Sequence, residues 1–403
     1  MARNRQRHAL LEICAAFLKL GLTSFGGPVA HLGYIRAECV AARRWIDDDE
    51  YADIVALCQF LPGPASSQVV FALGLRRAGL LGALAASLCF LLPSAVLMIG
   101  FAYGVTALGE LRGAGWLHGL KVAAVAVVAQ AVWTMGTKLC TDRARVTLCL
   151  VAAAATLIVP GAIGQVGVLA FGAFVGWRLY RDAPAPKLTA AESDQPPTPH
   201  AVAVAALVVF GALLFVPRLV VTATGSKMAA VFDAFYRAGA LVFGGGHVVL
   251  PLLRESIVPQ GWMSDDAFLA GYAGAQAVPG PLFSFAGYLG TVIEGGASAW
   301  RGGLWALLAV FLPSWLLIAG TLPFWHRMRA KSWMQAALRG ANASVVGVLL
   351  AALYSPVMTE GVKSARDLAA ALLAFGLLEI WTAPPWVVVL LAAAGGQWLL
   401  GGS

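Results

Sequence analysis

The chain has 403 residues, 28 basic and 20 acidic, with a net charge of +8, and 60% of them are hydrophobic. A charged fraction of 12% is about half that of a soluble protein and leaves too little polar surface to cover such a chain in water. A soluble enzyme, a disordered chain and a disulfide scaffold are excluded. The basic residues are scattered through short interhelical loops, where the positive-inside bias accounts for them without nucleic acid.

Arg3, Arg5 and Arg7 precede an apolar stretch in the manner of a leader. Lys19 interrupts that stretch and no small-residue cleavage site follows, so it reads as a retained first helix. Runs near twenty apolar residues then give about thirteen segments. They cover 9–26, 51–75, 79–108, 115–137, 145–159, 162–179, 201–223, 228–246, 265–293, 299–322, 333–355, 367–382 and 385–402. Residues 181–200, with Pro184, Pro186, Pro196, Pro197 and Pro199, form a polar linker. The chain therefore divides into a repeat over 1–180, the linker, an extra segment over 201–223 and a second repeat over 224–403. Cys14, Cys39, Cys58, Cys89, Cys140 and Cys149 contain no C-x-x-C pair and read as small apolar packing residues. No metal or cofactor is expected.

The two halves are copies. Phe17, Lys19, Gly21, Phe25, Gly26 and Gly27 recur as Phe235, Arg237, Gly239, Phe243, Gly244 and Gly245, and Arg36 recurs as Arg254, at an offset of 218. Trp45, Asp48, Asp49, Gln59, Pro62, Gly63, Pro64 and Ser67 recur as Trp262, Asp265, Asp266, Gln276, Pro279, Gly280, Pro281 and Ser284, at an offset of 217. Pro93-Ser94 matches Pro313-Ser314, and Lys121 matches Arg339. Equivalent loops carry opposite charge bias, which an inverted repeat requires. The fold class is thus an all-α polytopic membrane protein of two inverted halves with broken helices near the bilayer midplane. With each broken segment counted as one crossing, the reading is thirteen spans, N-terminus inside and C-terminus outside.

The breaks carry the chemistry. Phe25-Gly26-Gly27-Pro28 and Pro62-Gly63-Pro64, with their copies Phe243-Gly244-Gly245-Gly246 and Pro279-Gly280-Pro281, interrupt apolar segments. Unpaired backbone within hydrocarbon costs several kcal/mol per group, so such breaks persist only inside protein or beside water. Each exposes the amide-rich, partly positive start of a short helix, which suits an anion. Ser66, Ser67 and Ser284 add hydroxyls, and Gln59 and Gln276 flank the turns. The plain alternative is a set of packing kinks.

Cations inside the segments are the second signal. Lys19 lies roughly 15 Å into its segment, Arg237 sits four residues after Asp233, and Lys121 and Arg339 hold equivalent places. Intramembrane charges default to function, with snorkelling as the alternative. Asp53, Glu12, Asp233, Glu379, His31 and His247 are the weaker proton-carrying candidates. The runs at Asp47–Glu50 and at Asp265 and Asp266 read as helix caps.

The F-G-G turns, the W-x-x-D-D stretch, the Q-x-x-P-G-P motifs and the L-P-S segments resemble the chromate ion transporter family, in its long two-domain form. The likeness spans both halves; Gly246 replaces Pro28, and His31 has no counterpart. The resemblance implies export of chromate from the bacterial cytoplasm across the inner membrane, driven by the proton motive force and giving chromate resistance. The residues agree on a tetrahedral dianion without separating chromate from sulfate, and a passive anion channel uses the same helix ends. No G-x-x-x-x-G-K-[ST] occurs, so this chain does not use ATP directly. No hydrolase or metalloprotease motif supports an intramembrane enzyme. The lipid bilayer is the expected partner, with no nucleic acid, and the oligomeric state stays open.

Overall fold

Ala, Leu and Val dominate every long segment, and polar residues at the segment starts decide where helices begin. Asp47 accepts the Glu50 amide at 2.8 Å, Asp142 the Arg145 amide at 2.9 Å and Ser264 the Ala267 amide at 3.3 Å. Each satisfies a donor that the first turn leaves orphaned. In the computed structural model, which describes residues 2–25, 27–107, 115–159, 162–181, 199–242, 249–325 and 331–397, the described residues contain no strand.

The first repeat runs α1 (Ala2–Thr23), α2 (Gly27–Arg36, continued by a wider turn to Ala42), α3 (Asp48–Phe60), α4 (Ala65–Ala107), α5 (Gly115–Leu139), α6 (Arg143–Ile158) and α7 (Ala162–Tyr180). An outer pair follows, α8 (His200–Leu213) and α9 (Val216–Thr224). The second repeat runs α10 (Lys227–Leu241), α11 (Val249–Ile257), α12 (Asp265–Ala277), α13 (Phe285–Glu294), α14 (Trp300–Thr321), α15 (Ser332–Ala352), α16 (Ala365–Glu379) and α17 (Pro385–Gly395). Five helical stretches among the described residues are long and apolar enough to cross a membrane: 65–106, 118–139, 200–224, 300–324 and 332–361. Leu81, Leu88 and Leu92 line the outer face of α4 at 55–61% exposure, as a lipid-facing helix requires.

Thirteen crossings are not what the chain makes. Glu50 opens α3, and Arg76 lies near the end of the first arm of α4, yet the two form an ion pair at 2.7 Å. The Pro62-Gly63-Pro64 break is therefore a reversal, and segment 51–75 enters and leaves at one end of the bundle. At Ala78 and Gly79, where Gly79 takes φ +67°, α4 folds back again before its long second arm. α1 and α2 likewise share that end, for Glu12 pairs with Arg77 at 2.6 Å and Arg36 with Asp48 at 2.7 Å. The second repeat repeats the pattern: Lys227 at the start of α10 reaches the Ile293 carbonyl at 2.9 Å, and Arg254 in α11 pairs with Asp265 at 2.6 Å. Tyr288 of α13 donates to the Ala267 carbonyl at the start of α12 at 2.9 Å. Hydropathy measured the length of these segments and was blind to their direction.

The inversion is visible along α4. Its fold-back turn at Gly79 lies at one end, which we call the near end. The equivalent turn of the second repeat, at Gly295 and Gly296, lies at the other, because Tyr103 donates to the Ala297 carbonyl and accepts the Trp300 amide, both at 3.0 Å. Residues 79 and 103 are roughly 36 Å apart along a helix. Reciprocally, Trp325 at the close of α14 donates to Asp53 of α3 at 3.1 Å. The second repeat's hairpins form the deep core: Tyr236, Tyr272, Tyr288, Phe268 and Phe285 are all fully buried.

Candidate functional site

Each repeat ends its first helix at a break and turns its second hairpin at Pro-Gly-Pro, and the two repeats exchange these features. The Gly63 amide donates to the Val242 carbonyl at 2.7 Å, and the Gly280 amide donates to the Ser24 carbonyl at 2.8 Å. Ser24 and Val242 end the first helix of their repeats, so the Pro-Gly-Pro turn of each copy caps the break of the other. Both glycines need left-handed backbone, with φ +125° at Gly63 and +101° at Gly280. The L-P-S serines complete the exchange: Gly63 is pressed against Ser314, and a Cβ on Gly280 would lie 2.9 Å from the Ser94 hydroxyl.

Two equivalent junctions result, each built by both repeats. At the first, Gln68 braces the turn by donating to the Pro62 carbonyl at 2.7 Å, and α4 starts from Pro64 with the Gln68 amide bonded to its carbonyl. At the second, Pro281 leads into a single tight turn over Leu282–Ser284 before α13. The hydroxyls of Ser24, Ser67, Ser284 and Ser314 are at most 4% exposed and have no hydrogen-bond partner among the described residues. The Gln68 carbonyl oxygen is also buried without a partner among the described residues, but as an acceptor it does not serve an anion. Buried polar groups are normally paired, because an unmade hydrogen bond costs about 1–3 kcal/mol. Such a set of donors, beside the first-turn amides of short helices, matches what a desolvated anion needs.

The predicted residues divide accordingly. Pro62, Gly63, Pro64, Ser67, Pro279, Gly280, Pro281 and Ser284 lie at the junctions, and Gln276 lies one turn before the second. Gln59 is exposed, and Phe25 packs on Trp386 at 6.1 Å between ring centres. Gly27 begins α2; Gly26, Phe243, Gly244 and Gly245 lie outside the described residues.

The four cations have other partners. Lys19 is 62% exposed and pairs with Glu38 at 2.7 Å, where Arg43 joins at 2.8 Å. Arg237 pairs with Asp233 at 2.8 Å and donates to the Leu214 carbonyl at 2.8 Å, while Tyr236 donates to the Phe210 carbonyl at 2.9 Å. Those carbonyls flank the break between α8 and α9, so this pair staples the extra segment to α10. Lys121 bridges to Asp266 at 2.7 Å, and Arg339 lies over the Tyr180 ring at 5.9 Å. Asp53, read as a proton carrier, accepts from Trp325.

Sequence reasoning passed over Ser24, Gln68, Ser94 and Ser314 as site groups. The matched Pro-Ser pairs were the signal for two of them. Ser24 and Gln68 have no like residue in the other copy and left no trace.

The chromate transporter family model matches residues 11–177 and 229–397, one match per repeat. The chain is 33% identical to the chromate transport protein of Pseudomonas aeruginosa, over 96% of this chain and 92% of that one. It is 28% identical to the probable chromate transport protein of Synechococcus elongatus, over 96% and 95%, and 28% identical to the chromate transport protein of Cupriavidus metallidurans, over 91% and 86%. No solved structure matches it significantly.

Proposed function

The chain belongs to the chromate transporter family, a family of multi-pass membrane transporters, and from that premise we propose that it exports chromate from the bacterial cytoplasm across the inner membrane, using the proton motive force and conferring chromate resistance. The observation that carries this reading is the pair of two-fold-related junctions, where buried hydroxyls of both repeats stand without partners. In this reading Pro62-Gly63-Pro64 and Pro279-Gly280-Pro281 shape the site while Ser24, Ser67, Ser284 and Ser314 donate to the ion. Neutral donors suit a carrier: they replace the hydration of a dianion without holding it so tightly that it cannot leave. The paired cations Lys19, Arg237, Lys121 and Arg339 fix helices around the site and complement the field from a distance.

Direction follows from charge. The near end carries Arg36, Arg43, Arg76, Arg77, Arg145 and Lys331, which supports a cytoplasmic near end by the positive-inside bias. An inside-negative potential of 100 mV is worth about 2.3 kcal/mol per charge, so expelling a dianion gains roughly 4.6 kcal/mol. Inverted repeats whose hairpins open to opposite ends are the structural basis of alternating access.

The test is labelled chromate uptake into everted membrane vesicles carrying the protein, with sulfate as competitor and with the potential and pH gradient collapsed separately. Uptake that saturates and falls when the gradients collapse supports the carrier. Uptake that rises linearly with concentration marks a channel, and full competition by sulfate at equal concentration marks a general oxyanion carrier.

A further inference from the structure

Among the described residues, one titratable group lies at a junction without a role in the oxyanion site as proposed. His31 is one turn into α2, 2% exposed, and its ring lies against the backbone of Ser24. The Ser24 carbonyl is the group that receives the Gly280 amide from the other repeat. The ring stands edge-on to Phe90 at 5.9 Å, and its Nδ1 has no partner among the described residues. The Ser24 hydroxyl beside it is equally buried and equally unpaired. The second repeat has Val249 at the equivalent position, fully buried, so among the described residues His31 is the ionisable ring at a junction; His247 lies outside the described residues.

We propose that His31 is a proton-binding site linked to the oxyanion: proton and dianion bind together at the Ser24–Gly280 junction, each tightening the other, and a proton that leaves with the ion reduces the net charge expelled from two to one, which the inside-negative potential still drives outward. This rests on the reading of the junctions as oxyanion sites. The ring lies beside the positive start of α2. A dianion reverses that field. It stabilises the imidazolium, whose Nδ1–H then supplies a charged donor where an unpaired nitrogen stood.

The surroundings leave this role to His31. On α1, Lys19 is taken by Glu38 and Glu12 by Arg77, with His8 at 3.8 Å from Glu12. On α3, Asp48 is held by Arg36, Glu50 by Arg76 and Asp53 by Trp325, while the Tyr51 hydroxyl donates to the Leu32 carbonyl at 2.6 Å. Cys14, Cys58 and Cys89 are the thiols of α1, α3 and α4, and Cys39 follows α2. Residues 279–287, which the second repeat brings to this junction, include no charged side chain.

The experiment uses the full chain purified in detergent, with chromate as the probe. Isothermal titration from pH 6 to pH 8 compares the wild type with His31→Gln and His31→Asn. Chromate's own protonation contributes alike to all three, so the difference belongs to the ring. The expected gain in affinity on acidification is larger in the wild type by about fivefold or more, the scale of ordinary coupling between sites. A second readout needs no variant: in weak buffer above pH 7.5, chromate binding to the wild type takes up a fraction of a proton, seen with an indicator dye. Equal pH dependence in wild type and variants, or binding without proton uptake, overturns the assignment of His31 alone. Failure of the wild type to bind chromate at any pH removes the junction reading, and this proposal with it.

Discussion

Gly63 gives its amide to the carbonyl of Val242 at 2.7 Å, across the boundary between the two repeats, and Gly280 and Ser24 form the equivalent bond in the opposite sense. Each repeat supplies a hydrogen bond to the break of the other. A Pro-Gly-Pro reversal leaves amides and carbonyls that hydrocarbon cannot satisfy, and the partner copy supplies what water would otherwise supply. The broken helices of each copy thus draw part of their hydrogen bonding from the other copy.

Gly63→Ala and Gly280→Ala should both damage the protein, Gly63→Ala the more. Both positions lie in the left-handed region, where a Cβ costs of order 1 kcal/mol or more. The Gly63 Cβ would also strike Ser314 more closely than the Gly280 Cβ strikes Ser94. Chromate uptake in vesicles should fall at least about tenfold for Gly63→Ala, with a lowered melting temperature in detergent. Wild-type values for both variants would return the turns to the status of simple kinks.

Ser67→Ala and Ser284→Ala should behave in the opposite way. Their hydroxyls have no partner among the described residues, so removal forfeits no internal hydrogen bond, and melting temperatures should hold or rise slightly. A hydrogen bond to a charged ligand is worth about 1.5–3 kcal/mol, so chromate affinity should fall roughly tenfold or more. A stability loss with unchanged affinity would mean that these serines serve the fold.

At the near end, outside the spanning segments, Asp142 links three groups. Burial alone would push its carboxyl up, but the Arg145 amide at 2.9 Å, the Tyr180 hydroxyl at 2.7 Å and the Arg145 guanidinium at 2.6 Å prevail and hold it at about 2. An unfolded aspartate titrates near 3.9, so the folded state binds fewer protons between those values. This contribution is complete above about pH 4 and is lost as pH falls toward 2. The carboxyl is 38% exposed, so solvent screening keeps the effect to a degree or two of melting temperature. Wild type and Asp142→Asn compared at pH 7, 4 and 3 should converge in acid; a gap that is constant across pH would assign the effect to the cap alone.

The duplication, the helical class and the place of the breaks were legible because they live in local composition and in a constant offset. Direction was not. Proline and glycine interrupt a helix equally well whether the chain continues or reverses, and what decides is a contact such as Glu50 with Arg76, between residues 26 apart. The partners of the cations were hidden for the same reason, since Lys19 and Glu38 stand 19 residues apart with a reversal between them. Ser314 was in view as part of a repeated Pro-Ser pair, but only the crossing of repeats brings it against Gly63.

That hidden pairing makes the most direct test of which charges hold the ion. Glu38, about 10% exposed, has two cations, Lys19 at 2.7 Å and Arg43 at 2.8 Å. Lys19→Gln leaves it Arg43, so the loss should be small: a few degrees of melting temperature and less than a twofold change in chromate affinity. Glu38→Gln should be worse, because it strands both cations, and Lys19→Gln added to it should cost little more. Arg237→Gln differs in degree, since it leaves the Asp233 carboxylate, 9% exposed, with only the longer 3.9 Å contact to Arg218 and also frees the Leu214 carbonyl at the break before α9. Stranding a buried charge outright costs about 3–5 kcal/mol; with Arg218 still nearby the loss should be smaller than that, but this variant should still lose stability first and transport only as a consequence. If Lys19→Gln instead lost chromate affinity tenfold at an unchanged melting temperature, the ammonium would have to leave Glu38 for the ion during transport, and the neutral-donor description of the junctions would give way to one with a mobile cation.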